Sequence, residues 1–125
     1  MKLIIVLLLF FTAIFADDDH DGRHINKELS HLDLSKEQNI EIREILHDFR
    51  AELKEFEIFK KEIEKRRKDL FLREAFSSDE LGKLSQKLDI KAREIEGNFL
   101  RKMHSILNLK QRTRFINHFD DWEVK

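Results

Sequence analysis

A repeat of large apolar residues at every seventh position is the feature that most limits how this chain can fold. The repeat lies in a stretch over 35–75 that contains neither proline nor glycine, and its members are Ile42, Phe49, Phe56, Ile63 and Leu70. Seven residues make about two turns of an α-helix, so these side chains share one face. Lys60 and Arg67 occupy positions that Leu46 and Leu53 fill nearer the start. The pattern predicts one long helix whose apolar face becomes narrower and more polar toward its end.

A second amphipathic helix is predicted over 78–106. Its apolar residues fall within about 50° of one direction at 100° per residue, and they are Leu81, Leu84, Leu88, Ala92, Ile95, Phe99, Met103 and Ile106. Beyond it, apolar residues at steps of three and four predict a short last helix, and these residues are Phe115, Ile116, Phe119 and Trp122. A further short helix is predicted over 26–30.

Three helix starts carry the sequence of a capping box, in which a polar residue and the residue three positions later bond each other's backbone N–H. The pairs are Ser35 with Gln38, Ser77 with Glu80, and Asn108 with Gln111. The chain is therefore predicted to be all-α, with a long antiparallel helical hairpin, 35–75 against 78–106, and short helices at its open end. Such a hairpin buries only one stripe per helix, so a homodimer is expected to cover the remainder.

The first 16 residues have the composition of a cleavable signal peptide, with Lys2, an apolar run and a small residue at Ala16. Residues 17–25 are acidic and histidine-containing and are expected to be disordered, which leaves 26–125 as one helical domain. The chain has no cysteine, so neither a disulfide scaffold nor a lipoprotein anchor is expected. Removing Lys2 leaves 23 basic against 25 acidic residues, a balance that argues against nucleic-acid binding.

Two segments share a similar pattern, LDLSKEQNIEIREI over residues 32–45 and LNLKQRTRF over residues 107–115. In that order they resemble the L-x-L-T-x-x-Q-x-x-x-I-R-x-I and L-T-x-x-Q-R-x-x-F motifs of the Spy/CpxP family. Ser35 and Asn108 stand where the family has threonine, and both are good helix caps. The motif residues expected to start and pin helices are Leu34, Ser35, Gln38, Leu107, Asn108 and Gln111.

The resemblance implies an all-α, cradle-shaped homodimer in the periplasm. Members of the family are ATP-independent chaperones, inhibitors of envelope-stress sensor kinases, or metal-responsive relatives. We expect a chaperone of the holdase type that binds partly unfolded envelope proteins. The alternatives are an accessory that docks on the periplasmic domain of a sensor kinase, and a metal-responsive protein.

A chaperone needs apolar and cationic groups that are exposed together but dilute enough to remain soluble. Ile40 and Ile58 lie 18 residues apart, which is five helical turns, and therefore share the face opposite the heptad seam. The candidate client-binding residues are Ile40, Ile58, Leu72, Ile90, Lys61, Lys65 and Arg66. The alternative is that these isoleucines contact a second copy of the chain and that the charged residues form a solvated helix face.

Neither a bound metal ion nor any other cofactor is expected. Metal-sensing relatives have a His-x-x-x-His pair before the first motif, a glutamate on the long helix and His-x-x-x-Met before the second motif. His20, His24, Glu44 and Met103 are the weak matches here, and Phe99 stands where the last histidine would be. An enzyme is not expected either, because the chain lacks cysteine and tyrosine, a glycine-rich phosphate loop, and a Ser/His/Asp set that would converge.

Overall fold

The computed structural model describes residues 29–125, which form a two-helix hairpin closed at one end by short elements. Helix α1 runs over Lys36–Leu72, α2 over Ser78–Ile106 and α3 over Leu109–Phe115. Helix α2 packs back along α1, while α3 contacts two 3-10 segments, Ser30–Leu32 and Ile116–Trp122, at the open end. The predicted all-α hairpin is confirmed. The predicted segments 1–16 and 17–25, and most of the predicted helix over 26–30, lie outside the described residues.

Two of the three predicted capping boxes are complete. At the start of α1, the Ser35 hydroxyl accepts from the Gln38 N–H at 3.1 Å, and the Gln38 side-chain oxygen accepts from the Ser35 N–H at 2.9 Å. At α3, Asn108 and Gln111 exchange the equivalent bonds at 2.9 and 3.0 Å. These bonds satisfy backbone donors that have no partner within the helix.

The prediction of a full capping box at the start of α2 is wrong. Ser77 accepts from the Glu80 N–H at 3.2 Å, but the Glu80 carboxylate accepts from the Arg73 guanidinium at 2.9 Å instead of reaching back to Ser77. Helix α1 also ends at Leu72, three residues before the predicted end at 75. Both differences have one cause, since Arg73 takes an extended backbone that turns its side chain across the connection toward Glu80.

The heptad residues form the seam between α1 and α2. All five are buried, Phe56 and Ile63 to 1% exposure, and they meet the stripe of α2. Among the described residues, the core nearer the open end is large, whereas the distal core contains three buried residues, Ile63, Leu70 and Leu84. The predicted narrowing of the seam is confirmed, and it leaves the distal half of the hairpin with the smaller apolar contact.

Stacked aromatic rings hold the C-terminal segment against the hairpin. Phe49 and Phe99 stack at 4.3 Å between ring centroids, and Trp122 lies 4.9 Å from Phe99. Arg93 lies 3.8 Å from the Glu123 carboxylate. The hydrogen bond from Arg93 to Glu96, followed by attraction to Glu96, Asp89 and Glu123, raises the pKa of Arg93 above its ordinary value.

The predicted last helix is wrong in its second half. Only α3 is α-helical there, and Ile116–Trp122 is a 3-10 segment with a kink at His118. A 3-10 helix has three residues per turn, so a stripe laid out for 3.6 residues per turn is not kept on one side. Trp122 is buried, but Ile116 is 60% exposed and Phe119 is 42% exposed.

Candidate binding surface

The two sequence motifs meet in a reciprocal amide pair. The Gln38 side-chain NH₂ donates to the Gln111 side-chain oxygen at 2.8 Å, and the Gln111 NH₂ donates to the Gln38 oxygen at 3.0 Å. Gln38 also donates to the Ile106 carbonyl at 2.9 Å, and Gln111 to the Asp33 carbonyl at 3.4 Å. We name Gln38 and Gln111 the glutamine lock, because they join the starts of α1 and α3 to the end of α2.

The remaining motif residues support this lock. Leu107 is buried, and Leu34 packs partly buried against the same core. Ser35 and Asn108 each hold one glutamine in place through its capping box. The motif residues thus fix the open end of the hairpin.

A stripe of exposed side chains runs along the distal half of α1, on the side turned away from α2. Its members follow one another at steps of three and four and therefore share one helix face: Ile58, Lys61, Lys65, Lys68 and Leu72. Ile58 is 70% exposed and Leu72 is 81% exposed. We call these five residues the outer stripe. It places two large apolar side chains about 21 Å apart along the helix with cations between them.

The cations of the outer stripe have no acidic partner among residues 29–125. Within the described part of the chain, no carboxylate lies within 4.0 Å of Lys61, Lys65 or Lys68, whereas on α2 Lys83 and Arg93 are each paired with neighbouring carboxylates. Residues 58–73 hold seven basic against three acidic residues, and residues 36–57 hold four against seven. The distal half of α1 is therefore positive, although the whole chain is nearly neutral.

The structure does not bring all seven predicted client-binding residues together. Ile90 is 58% exposed, but it points away from the seam on α2 and so lies on the opposite side of the hairpin from Ile58. Arg66 lies beside a separate groove with Arg73 and is paired with Glu62 at 2.9 Å. Ile40 is 55% exposed and shares the face of Ile58, about 27 Å away along α1.

A second apolar feature, at the connection between α1 and α2, was not predicted. Phe71 is 79% exposed and Phe76 is 51% exposed, and their rings meet edge to face at 6.4 Å. With Leu72 and the partly buried Leu81 they line an open groove that we call the tip groove. The signal was present in the sequence, because Phe71 lies one position beyond the last heptad residue and therefore about 100° away from the seam.

The weak metal candidates are not assembled in the part of the chain that the structure describes. Met103 is buried in the core at 1% exposure, and Glu44 is exposed on α1. Across 29–125 no group of three or more His, Cys, Asp or Glu side chains is placed to hold a metal ion. His20 and His24 lie outside the described residues.

Comparisons with models of known protein families, with curated proteins and with solved structures give no match to this chain. Among residues 29–125, no helix has the length and apolar composition needed to cross a membrane.

Proposed function

We propose that this protein is an ATP-independent chaperone of the periplasm, a holdase similar to those of the Spy/CpxP family, which binds partly unfolded envelope proteins. The observation that carries the proposal is the outer stripe, in which two exposed apolar side chains flank three lysines that have no acidic partner within residues 29–125. An unfolded chain offers apolar side chains and carboxylates together, and the outer stripe complements both.

The separation of the apolar groups supports reversible binding. Ile58 and Leu72 lie about 21 Å apart along α1, so a client meets them as two separate contacts, each of which contributes a modest hydrophobic free energy. The flexible lysine stems can follow different client sequences, because the methylene groups pack on apolar surface while the ammonium groups remain hydrated. Many weak contacts of this kind suit clients that share no sequence.

Release of the client then requires no nucleotide. A client that folds buries the apolar residues that the outer stripe contacts, and its affinity for the chaperone falls. Because a ligand stabilises whichever state it binds, a holdase with higher affinity for the unfolded state opposes folding of the bound client, and folding proceeds from the client that has dissociated.

The predicted signal peptide over 1–16 supports a place in the periplasm for this activity. The resemblance to the Spy/CpxP family supports a homodimer. Exposed isoleucines that do not bind a client can contact a second copy of the chain. The proposed activity needs no metal and no other cofactor.

Light scattering from a chemically denatured client tests the proposal. The client is diluted into buffer that contains a chelator and no ATP, with and without the protein. We expect the protein to suppress aggregation of several unrelated clients near a one-to-one ratio, because binding competes with self-association of the clients.

Two other outcomes would contradict the proposal. Absence of suppression together with tight, salt-sensitive binding to the periplasmic domain of one sensor kinase would favour the signalling accessory. Suppression that appears only after zinc or copper is added would favour the metal-responsive protein.

A further inference from the structure

The tip groove continues the outer stripe around the end of the hairpin. Leu72 belongs to the outer stripe and to the groove, and Lys68 of the outer stripe lines the groove as well. Phe76, in the connection between the helices, and Leu81 of α2 also line it. An extended chain that follows the outer stripe toward the connection therefore reaches the tip groove without leaving the surface.

Large apolar side chains provide most of the exposed surface of the groove. Leu72 and Phe71 are the most exposed large apolar residues of the described chain, at 81% and 79%, and Phe76 is 51% exposed. The two phenyl rings meet edge to face at 6.4 Å. An aromatic side chain that enters the groove gains ring contacts beyond the area that it buries. The groove therefore favours large apolar occupants, and aromatic ones most.

The charges around the tip are balanced, so they select neither an anion nor a cation. Residues 64–80 hold five basic against five acidic residues. Glu64 lines the groove together with Arg67 and Lys68, and Arg73 is paired with Glu80 at 2.9 Å. The outer stripe differs, because its polar members are all lysines. A chain that covers both surfaces is matched best when it is acidic along the outer stripe and uncharged at the tip.

The dimensions of the surface set the spacing of such a chain. Ile58 and Leu72 lie about 21 Å apart along α1, and an extended chain advances about 3.3 Å per residue, which places its two apolar contacts about six residues apart. Carboxylates within that interval lie along Lys61, Lys65 and Lys68. Beyond Leu72 the next residues of the chain enter the groove, and alternate side chains point to the same side.

We propose that the tip groove anchors two aromatic residues, at alternate positions of an unfolded client, next to an acidic stretch that lies along the outer stripe. The inference rests on the proposed chaperone function, because it names the class of client segment that the same surface selects. Aromatic residues are largely buried in folded proteins, so the anchor is withdrawn when the client folds. The groove thus adds selectivity to a surface whose other contacts are general.

Two unfolded peptides that carry the same fluorophore test this preference in the full-length protein. Both contain a leucine followed by a glutamate-rich stretch, and one ends with two phenylalanines at alternate positions where the other has serines. We expect the protein to bind the phenylalanine peptide about tenfold more tightly than the serine peptide, because only the phenylalanines bury apolar area in the groove.

Matched variants assign the preference to the groove. Phe71→Ser with Phe76→Ser should bind the two peptides equally and should keep its affinity for the serine peptide within about twofold. Leu109→Ser with Ile116→Ser, which removes two exposed apolar side chains at the open end, should retain the full preference. All four side chains are exposed, so neither variant should lose helical circular dichroism.

A label near the groove locates the aromatic end of the peptide. The chain contains no cysteine, so Ala75→Cys provides one labelling site between the two phenylalanines of the tip, and Asn117→Cys provides a control site at the open end. A contact quencher beside the peptide phenylalanines should quench the label at 75 and not the label at 117. The same quencher at the leucine end should quench neither label.

Four results would overturn the inference. They are equal binding of the two peptides by wild type, a preference that survives Phe71→Ser with Phe76→Ser, equal quenching at 75 and 117, and a lower molar mass of that variant, which would assign the groove to a second copy. Binding of both peptides without a preference contradicts this inference alone. Failure of both peptides and of denatured clients to bind contradicts the chaperone proposal as well, so the two failures are distinguishable.

Discussion

Replacing Ile63 with aspartate is expected to unfold the distal half of the hairpin. Ile63 is 1% exposed and packs with Leu70 and Leu84 in the smaller core cluster. A carboxylate at that position is buried without a partner, and an uncompensated buried charge costs about 3–5 kcal/mol. A domain of this size is stable by about 5–15 kcal/mol in total. We expect a large loss of helical circular dichroism or a much lower melting temperature for Ile63→Asp.

The matched control is Ile58→Asp, which makes the same chemical change five residues earlier on the same helix. Ile58 is 70% exposed, so its substitution should change the free energy of unfolding by no more than about 0.5 kcal/mol. Equal melting of the two variants would show that the assignment of Ile63 to the seam and Ile58 to the outer stripe is wrong.

The second large effect is expected at the glutamine lock. Gln111 is 6% exposed, and its side-chain oxygen accepts from both the Asn108 N–H and the Gln38 NH₂. Gln111→Leu removes this acceptor, which leaves the partly buried Asn108 N–H without its partner and leaves the Gln38 amide with only its bonds to the Ile106 carbonyl and the Ser35 N–H. Since a buried polar group left unpaired costs about 1–3 kcal/mol, we expect urea denaturation to show a loss of about 2–4 kcal/mol.

Double substitution distinguishes the lock from a general loss of capping. If Gln38 and Gln111 act through each other, Gln38→Leu with Gln111→Leu should cost less than the sum of the two single changes. Gln86→Leu, an exposed glutamine on α2, should cost no more than about 0.5 kcal/mol. Additive effects of the two lock substitutions would contradict the reciprocal pairing.

The helices could be predicted because their signals are local. The bounds 78–106 of the second helix follow from a stripe that repeats every three to four residues and from polar caps at 77 and 108, and the seam of α1 follows from the heptad alone. The complete capping boxes at Ser35 and Asn108 likewise depend on residues only three positions apart. Such interactions are set by backbone geometry and need no knowledge of the rest of the chain.

The parts that were missed depend on contacts between distant segments. Each glutamine of the lock was predicted to close its own capping box, but the bond between Gln38 and Gln111 spans 73 positions and requires the folded hairpin. Glu80 had two possible partners, and the turn places Arg73 within its reach. After Phe115 the stacked Trp122 sets the path of the chain, so the helical spacing of Ile116 and Phe119 no longer reports burial.

The central claim, that the outer stripe binds unfolded clients, is tested most directly by the affinity for a fluorescently labelled, permanently unfolded client. Wild type is compared with Ile58→Asp/Leu72→Asp and with Leu109→Asp/Ile116→Asp, which removes two exposed apolar side chains and adds the same charge elsewhere. The molar mass of each variant is measured to confirm equal assembly. We expect the first variant to bind about tenfold or more weakly and the second to bind as wild type does. Equal affinities for all three proteins, or equal losses in both variants, would contradict the assignment.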